Sequence, residues 1–202
     1  MKNILNITSS ISGENSYSIK LADAIIARIQ SEYPGSTVKT YDLAKNPFPH
    51  LDAAHFEAFN VPADVRTADQ QGAAHYSDTA ISDLLAADYV VIGVPFYNFS
   101  IPSTLKAWLD HIVRAGITFS YGEQGPVGLV NGKKVFLAVA SGGVYSEGPM
   151  SAYDSSEPFL RNVLGFLGMT DVTTFRAEGV KIPQLAETAL PKAVEAVTEY
   201  AF

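Results

Sequence analysis

The sequence predicts an α/β fold: a doubly wound, five-stranded parallel sheet with helices on both faces. Three observations lead there. Apolar runs too short for helices recur along the chain, stretches with helical spacing separate them, and loops rich in hydroxyl, aromatic or glycine residues follow several of the runs. Regular alternation of strand and helix requires crossover connections and therefore parallel pairing. At 202 residues and 47% hydrophobic content, the chain is expected to form one domain, residues 1–202, with a full core.

Ile4, Leu5 and Ile7 make a first strand that stops at Thr8-Ser9-Ser10, and Ile19, Leu21, Ile25, Ile26 and Ile29 then recur at helical spacing up to Gln30. Ser36 to Tyr41 alternates as a half-buried strand. Residues 43 to about 75 read as irregular, with Pro47, Pro49 and Pro62 and a short helical piece from Ala53 to Phe59. So long an excursion inside a compact domain is expected to shape a binding site. A helix over 77–87 places Ile81, Leu84 and Leu85 on one face, and a buried strand over 89–94 follows. Pro102 suits the first position of a helix that carries Leu105, Trp108, Leu109, Ile112 and Val113 inward, with Gly116 placed to end it. Trp108 is read as core packing on that pattern. Residues 117–131 are rich in glycine and aromatics, and Val135 to Val139 is another buried strand. A helix of Phe159, Val163, Leu164, Phe166 and Leu167, a strand from Asp171 to Phe175 and a helix from about Pro183 to Tyr200 complete the chain.

Composition removes several function classes. A net charge of −7, with 14 Lys and Arg scattered along the chain, supplies no basic stripe for a nucleic-acid backbone, so no nucleic-acid partner is expected. Without cysteine there is no disulfide, thiolate nucleophile or Cys-ligated metal, and redox chemistry would need a cofactor. No segment approaches the length of a membrane span and the first apolar run is too short for a signal peptide, so a cytoplasmic protein without a membrane partner is expected. His50, His55, His75 and His111 show no H-x-x-x-H pair, and no metal site is expected. His111, beside Asp110 on a helix, is read as a surface or subunit-interface residue, because sequence neighbours on a helix point in different directions. The G-x-S-x-G elbow of an α/β hydrolase does not occur.

Three loops at strand ends carry the functional signal. After the first strand the chain reads Ser9-Ser10-Ile11-Ser12-Gly13-Glu14-Asn15-Ser16-Tyr17-Ser18, a run of hydroxyls and amides at a helix N-terminus, which binds phosphate without a cationic side chain. Neither a Walker loop nor G-x-G-x-x-G occurs, so a monophosphate fits better than a triphosphate or a dinucleotide. The competing reading of this loop alone is that Ser16 is only an N-cap. After the strand 89–94 come Pro95, Phe96, Tyr97, Asn98 and Phe99, which offer aromatic faces, an amide and main-chain groups to a flat ring. After the strand 135–139 come Ala140, Ser141, Gly142 and Gly143, where the backbone can approach a ring edge without a Cβ. In open parallel sheets ligands settle at the carboxyl ends of strands, where all three loops lie.

With these residues in view the chain resembles the FMN-dependent NADH-azoreductase family, flavodoxin-like homodimers related to NAD(P)H:quinone oxidoreductases. The resemblance is carried by Ser9-Ser10 with Ser16-Tyr17-Ser18, by Pro95 to Phe99, by Leu105-Lys106 and Arg114 to Tyr121, by Gly132-Lys133-Lys134 before Gly142-Gly143, and by Phe166 to Val172. It implies that Ser10, Ser16, Tyr17 and Ser18 hold the FMN phosphate, that Phe96 to Phe99 line the isoalloxazine, and that Ala140 to Gly143 touch its pyrimidine edge. Where the family often has serine this chain has Ala140, so contact there falls to the backbone or to Ser141. Phe99, Phe119 and Tyr121 are expected as substrate walls, and Tyr121 matches a family position that reaches the neighbouring subunit's site. The implied activity is two-electron, ping-pong reduction of quinones or aromatic azo compounds, with NADH or NADPH as donor, no side chain serving as an obligatory acid or base, and a homodimer as the working unit. The rival readings are a flavodoxin-like carrier that passes electrons to proteins and a flavin-binding regulatory module.

Overall fold

The structure, a computed structural model, describes residues 1–202. The strand β1 (Asn3–Thr8) is buried from Ile4 onward and has apolar side chains on both faces, so it sits inside the sheet. It pairs in parallel with β2 (Thr37–Asp42) on one side and with β3 (Tyr89–Pro95) on the other; β6 (Lys134–Ser141) and β7 (Asp171–Glu178) extend the sheet in the order β2-β1-β3-β6-β7. The expected five-stranded parallel sheet is therefore present, with β1 and β3 at the point where the winding reverses.

Two apolar layers cover it. Leu21, Ala22, Ile25, Ile26 and Ile29 of α1 (Tyr17–Glu32) join Ile4, Val91, Phe136 and Ala138 under α6 (Ala186–Glu199). On the other face α3 (Ala68–Ala86), α4 (Ser103–Ile112) and α5 (Ser156–Phe166) bury Ile81, Leu84, Trp108, Leu160 and Leu164 against Leu5, Ile7, Val90 and Leu137. Trp108 is fully buried in this layer, as its helical position predicts.

The structure differs from the sequence reading at several elements. The helix expected over 77–87 starts nine residues earlier, because Thr67 accepts from Gln70 N while the Gln70 side chain accepts from Thr67 N. Its first turns are polar and alanine-rich, without an apolar stripe to betray them, and His75 lies well inside the helix. The excursion after β2 therefore runs only to residue 67 and contains α2 (Ala53–Phe59). It is tied down by Arg66, whose Nε donates to the Ala58 and Val61 carbonyls and whose Nη1 pairs with Asp78 at 2.5 Å. The helix expected to end at Gly116 ends at Ile112, and Gly116 instead takes φ +78 in the following turn. Within the glycine-rich segment, residues 119–128 form an antiparallel hairpin, β4 (Phe119–Gly122) and β5 (Gly125–Gly128).

His111 is not a surface residue. It is fully buried beneath the excursion, against Phe48, His55 and Phe59, with Nε2 2.9 Å from the Pro49 carbonyl. Burial lowers its pKa, and the carbonyl partner can only accept, so the neutral ring carries its proton on Nε2.

The hairpin is pinned to the end of α5 through Gly128. A Cβ there would run into the backbone of Leu167 and Gly168, while Val130 N donates to Leu167 O at 2.8 Å. Gly128→Ala is expected to cost about 1–3 kcal/mol of folding free energy through overpacking. Urea denaturation reads this directly; an unchanged midpoint would show that the two backbones part without strain.

Candidate active site

Register brings the three loops together: Thr8 pairs with Gly93, and Gly93 with Ala138, so β1, β3 and β6 end side by side. Between their carboxyl ends lies a cleft of about 520 Å³. Its lining takes residues from all three loops, including Ser10, Ser16, Tyr17, Ser18, Pro95, Phe96, Tyr97, Ala140, Ser141 and Gly142.

In the first loop the hydroxyl of Ser9 donates to the Gly93 carbonyl at 3.2 Å, which fastens the loop to β3. Ser16 is the N-cap of α1, accepting from Ile19 N at 3.3 Å, and its Oγ lies 3.0 Å from that of Ser18. The helix starts at Tyr17, so the amides of Tyr17 and Ser18 have no intrahelical acceptor and are open to an anion. Ser10 Oγ is 3.3 Å from the Tyr97 hydroxyl, linking the first loop to the second.

The second loop is a tight hairpin turn. Tyr97 and Ser100 exchange both backbone hydrogen bonds, at 3.1 and 3.0 Å, around Asn98 at φ +49 and Phe99 at φ +69. Two consecutive left-handed non-glycine residues are strained. The strain persists because the Phe99 ring packs at 5.5 Å from Tyr153 and edge-on to Phe96, while its carbonyl accepts from Ser155 N.

In the third loop, Ser141 Oγ donates to the Gly143 carbonyl at 2.8 Å, so this side chain is directed along the loop. Residues 141–143 also pair with the chain after β7: Val180 N, Lys181 N and Gly179 N donate to Ser141 O, Gly142 O and Gly143 O. A Cβ at Gly142 would meet the Lys181 stem at 3.2 Å, and one at Gly143 would meet the Tyr145 ring at 3.2 Å.

Other expected site residues lie outside this lining. Asn98, Phe99 and Gly143 flank the cleft without lining it. Phe119 is a core residue, packed 4.6 Å from Phe166, and Tyr121 is 77% exposed on the hairpin, so neither forms a wall of this chain's own cleft. Conversely, Ser12, Asn15, Lys20, Val180 and Lys181 do line it. Lys20 falls four residues after the N-cap, on the face of α1 that turns to the cleft; Lys181 is delivered by the β6–β7 pairing, which no local pattern announces. No carboxylate or imidazole lines the cleft.

Asn98→Gly should keep or slightly raise stability, whereas Asn98→Ala should lower it by about 1 kcal/mol, because alanine resists the left-handed region. Equal denaturation midpoints for the two variants would contradict the strain.

The family model for the flavodoxin-like fold matches residues 2–201. An FMN-dependent NADH:quinone oxidoreductase of Agrobacterium fabrum (strain C58) is 47% identical over 202 residues, covering 100% of this chain and 98% of that relative. Among solved structures, the azoreductase of Bacillus anthracis strain Sterne superposes with a TM-score of 0.87 at 30% identity, covering 99% of this chain and 100% of that one. An FMN-dependent NADH-azoreductase from the Ames Ancestor strain, solved in complex with FMN, gives 0.84 at 26% identity, with 98% of each chain covered. The chain therefore belongs to the flavodoxin-like family and, within it, to the FMN-dependent NADH:quinone oxidoreductases.

Proposed function

We propose that this chain is an FMN-dependent NADH:quinone oxidoreductase that also accepts aromatic azo compounds. The observation that carries it is one cleft, at the ends of β1, β3 and β6, that joins a seat of hydroxyls and helix-opening amides, with Lys20 beside them, to a glycine-walled, aromatic slot. The relatives' names favour an enzyme over a protein that only carries electrons.

The residues fit the cofactor. Ser10, Ser16 and Ser18 with the amides opening α1 would hold the phosphate, and Lys20 adds a cation beside them. Pro95 to Phe99 would face the ring system, and Ala140 to Gly143 would approach its edge, where a Cβ at 142 or 143 would crowd Lys181 or Tyr145. FMN, when bound, supplies two-electron chemistry to a donor and an acceptor that use the slot in turn. The protein's own part is to seat, orient and desolvate; no carboxylate or imidazole lines the cleft.

A homodimer belongs to this reading. Tyr121, Val127, Leu129 and Phe166 expose apolar side chains around the β4–β5 hairpin and the end of α5, a patch suited to a second copy. Tyr121 would then serve the partner's slot, which accounts for its distance from the cleft of its own chain.

Titration of flavin-free protein with FMN, followed by NADH with a quinone and with an azo dye, tests the function. Quenching of flavin fluorescence and turnover of both acceptors are expected; a chain that takes up no FMN would end the reading. Ser16→Asp preserves a good N-cap but sets a negative charge against the phosphate. It should raise the FMN Kd about tenfold or more at unchanged apoprotein Tm. Unaltered affinity would reduce Ser16 to a helix cap.

A further inference from the structure

On the FMN-binding reading above, we infer that Arg176 and Glu178 are positioning residues: they hold the segment 144–155 so that Tyr145 stands as a fixed wall beside the flavin slot. Glu178, the last residue of β7, accepts through Oε1 from Tyr145 N at 2.8 Å and Ser146 N at 3.0 Å, and through Oε2 from the Ser146 hydroxyl. Arg176, two residues earlier on the same face of the strand, donates to Glu178 Oε1 at 3.3 Å. Its other nitrogen reaches Asp154 at 2.6 Å and also Glu157. One guanidinium thus ties both ends of the segment to the sheet.

What the segment presents is aromatic. The Tyr145 ring lies 4.3 Å from Phe96 and 6.3 Å from Phe99, and it fills the space that a side chain at 143 would need. Tyr153, near the far end, backs the strained Phe99. The two tyrosines therefore bracket the loop expected to face the ring.

Residues 146–153 are exposed, so they bury little apolar surface with which to fix their own course. The ion network beneath them is mostly buried, with Arg176, Asp154, Glu157 and Glu178 side chains at 16%, 7%, 17% and 10% exposure. Such a network adds little net stability over apolar packing of similar volume, since desolvation offsets the attraction. Its distinctive product is orientation, and the groups it orients are the backbone amides of Tyr145 and Ser146. Asp154 also caps α5 by accepting from Ser156 N at 2.8 Å, which extends the same register to the helix.

The test is a double-mutant cycle on the full-length protein, reading FMN Kd by fluorescence together with kcat and KM for a quinone. Arg176→Gln and Tyr145→Ala should each weaken FMN about tenfold, with KM for the acceptor moving more than kcat, and the double variant should be no worse than Tyr145→Ala alone. Additive losses, or an Arg176→Gln protein with wild-type Kd and KM, would overturn the assignment. Should Arg176→Gln fail to fold with Asp154 and Glu178 left without a cation, Glu178→Gln replaces it in the cycle. That variant keeps an oxygen for both amides, loses the charge that engages Arg176, and turns the acceptor of the Ser146 hydroxyl into an amide donor. It should shift Kd and KM in the same direction by a smaller factor, again with no further loss on Tyr145→Ala; additivity there overturns the assignment equally. Failure of the wild-type protein itself to bind FMN would strike the flavin reading instead.

Discussion

Parallel pairing of β1, β3 and β6 is the constraint on which the site depends. Because Thr8, Gly93 and Ala138 stand level across the three strands, their following loops emerge at one edge of the sheet, separated only by strand spacing. Slippage of one strand by a residue would turn its apolar side chains to the wrong layer, so the same burial that stabilises the two cores also fixes where the loops emerge. Gly93 lies beneath the first turn of α1, where a Cβ would stand 3.4 Å from the Ser18 carbonyl.

The chemistry of the cleft follows from what those loops can offer at close range. A protein of net charge −7 must hold an anion by local donors rather than by its overall field. Hydroxyls of Ser10, Ser16 and Ser18, the open amides at the start of α1, and Lys20 and Lys181 at the margins concentrate such donors in one place. On the opposite side, backbone strain at Asn98 and Phe99 is held by aromatic contacts and by the Ser155 amide. Two left-handed residues in succession cost free energy that a loop without a task would shed by mutation, so their presence agrees with a loop selected for the shape it presents.

How much of this was readable from the chain depended on whether the signal was local. Strands such as Tyr89–Pro95, fully apolar and bounded by proline, declared themselves, as did the amphipathic pattern behind α1 and α4. The first turns of α3 did not, because Ala68 to Ser77 has helix formers and a capping box but no stripe. The three loops were legible because each follows a recognisable strand. Lys181 and Val180 were not, since the β6–β7 register brings them to the cleft from a distant part of the chain. His111 misled for a related reason: its burial comes from the excursion folding back over α4, a tertiary event that its helical neighbours do not encode.

Amide hydrogen exchange with and without FMN tests most directly whether three strand ends form one seat. Protection on adding FMN should appear together at residues 10–18, 95–99 and 140–143, at the same FMN concentration in all three segments. Protection in only one of them, or centred elsewhere on the chain, would contradict a shared site.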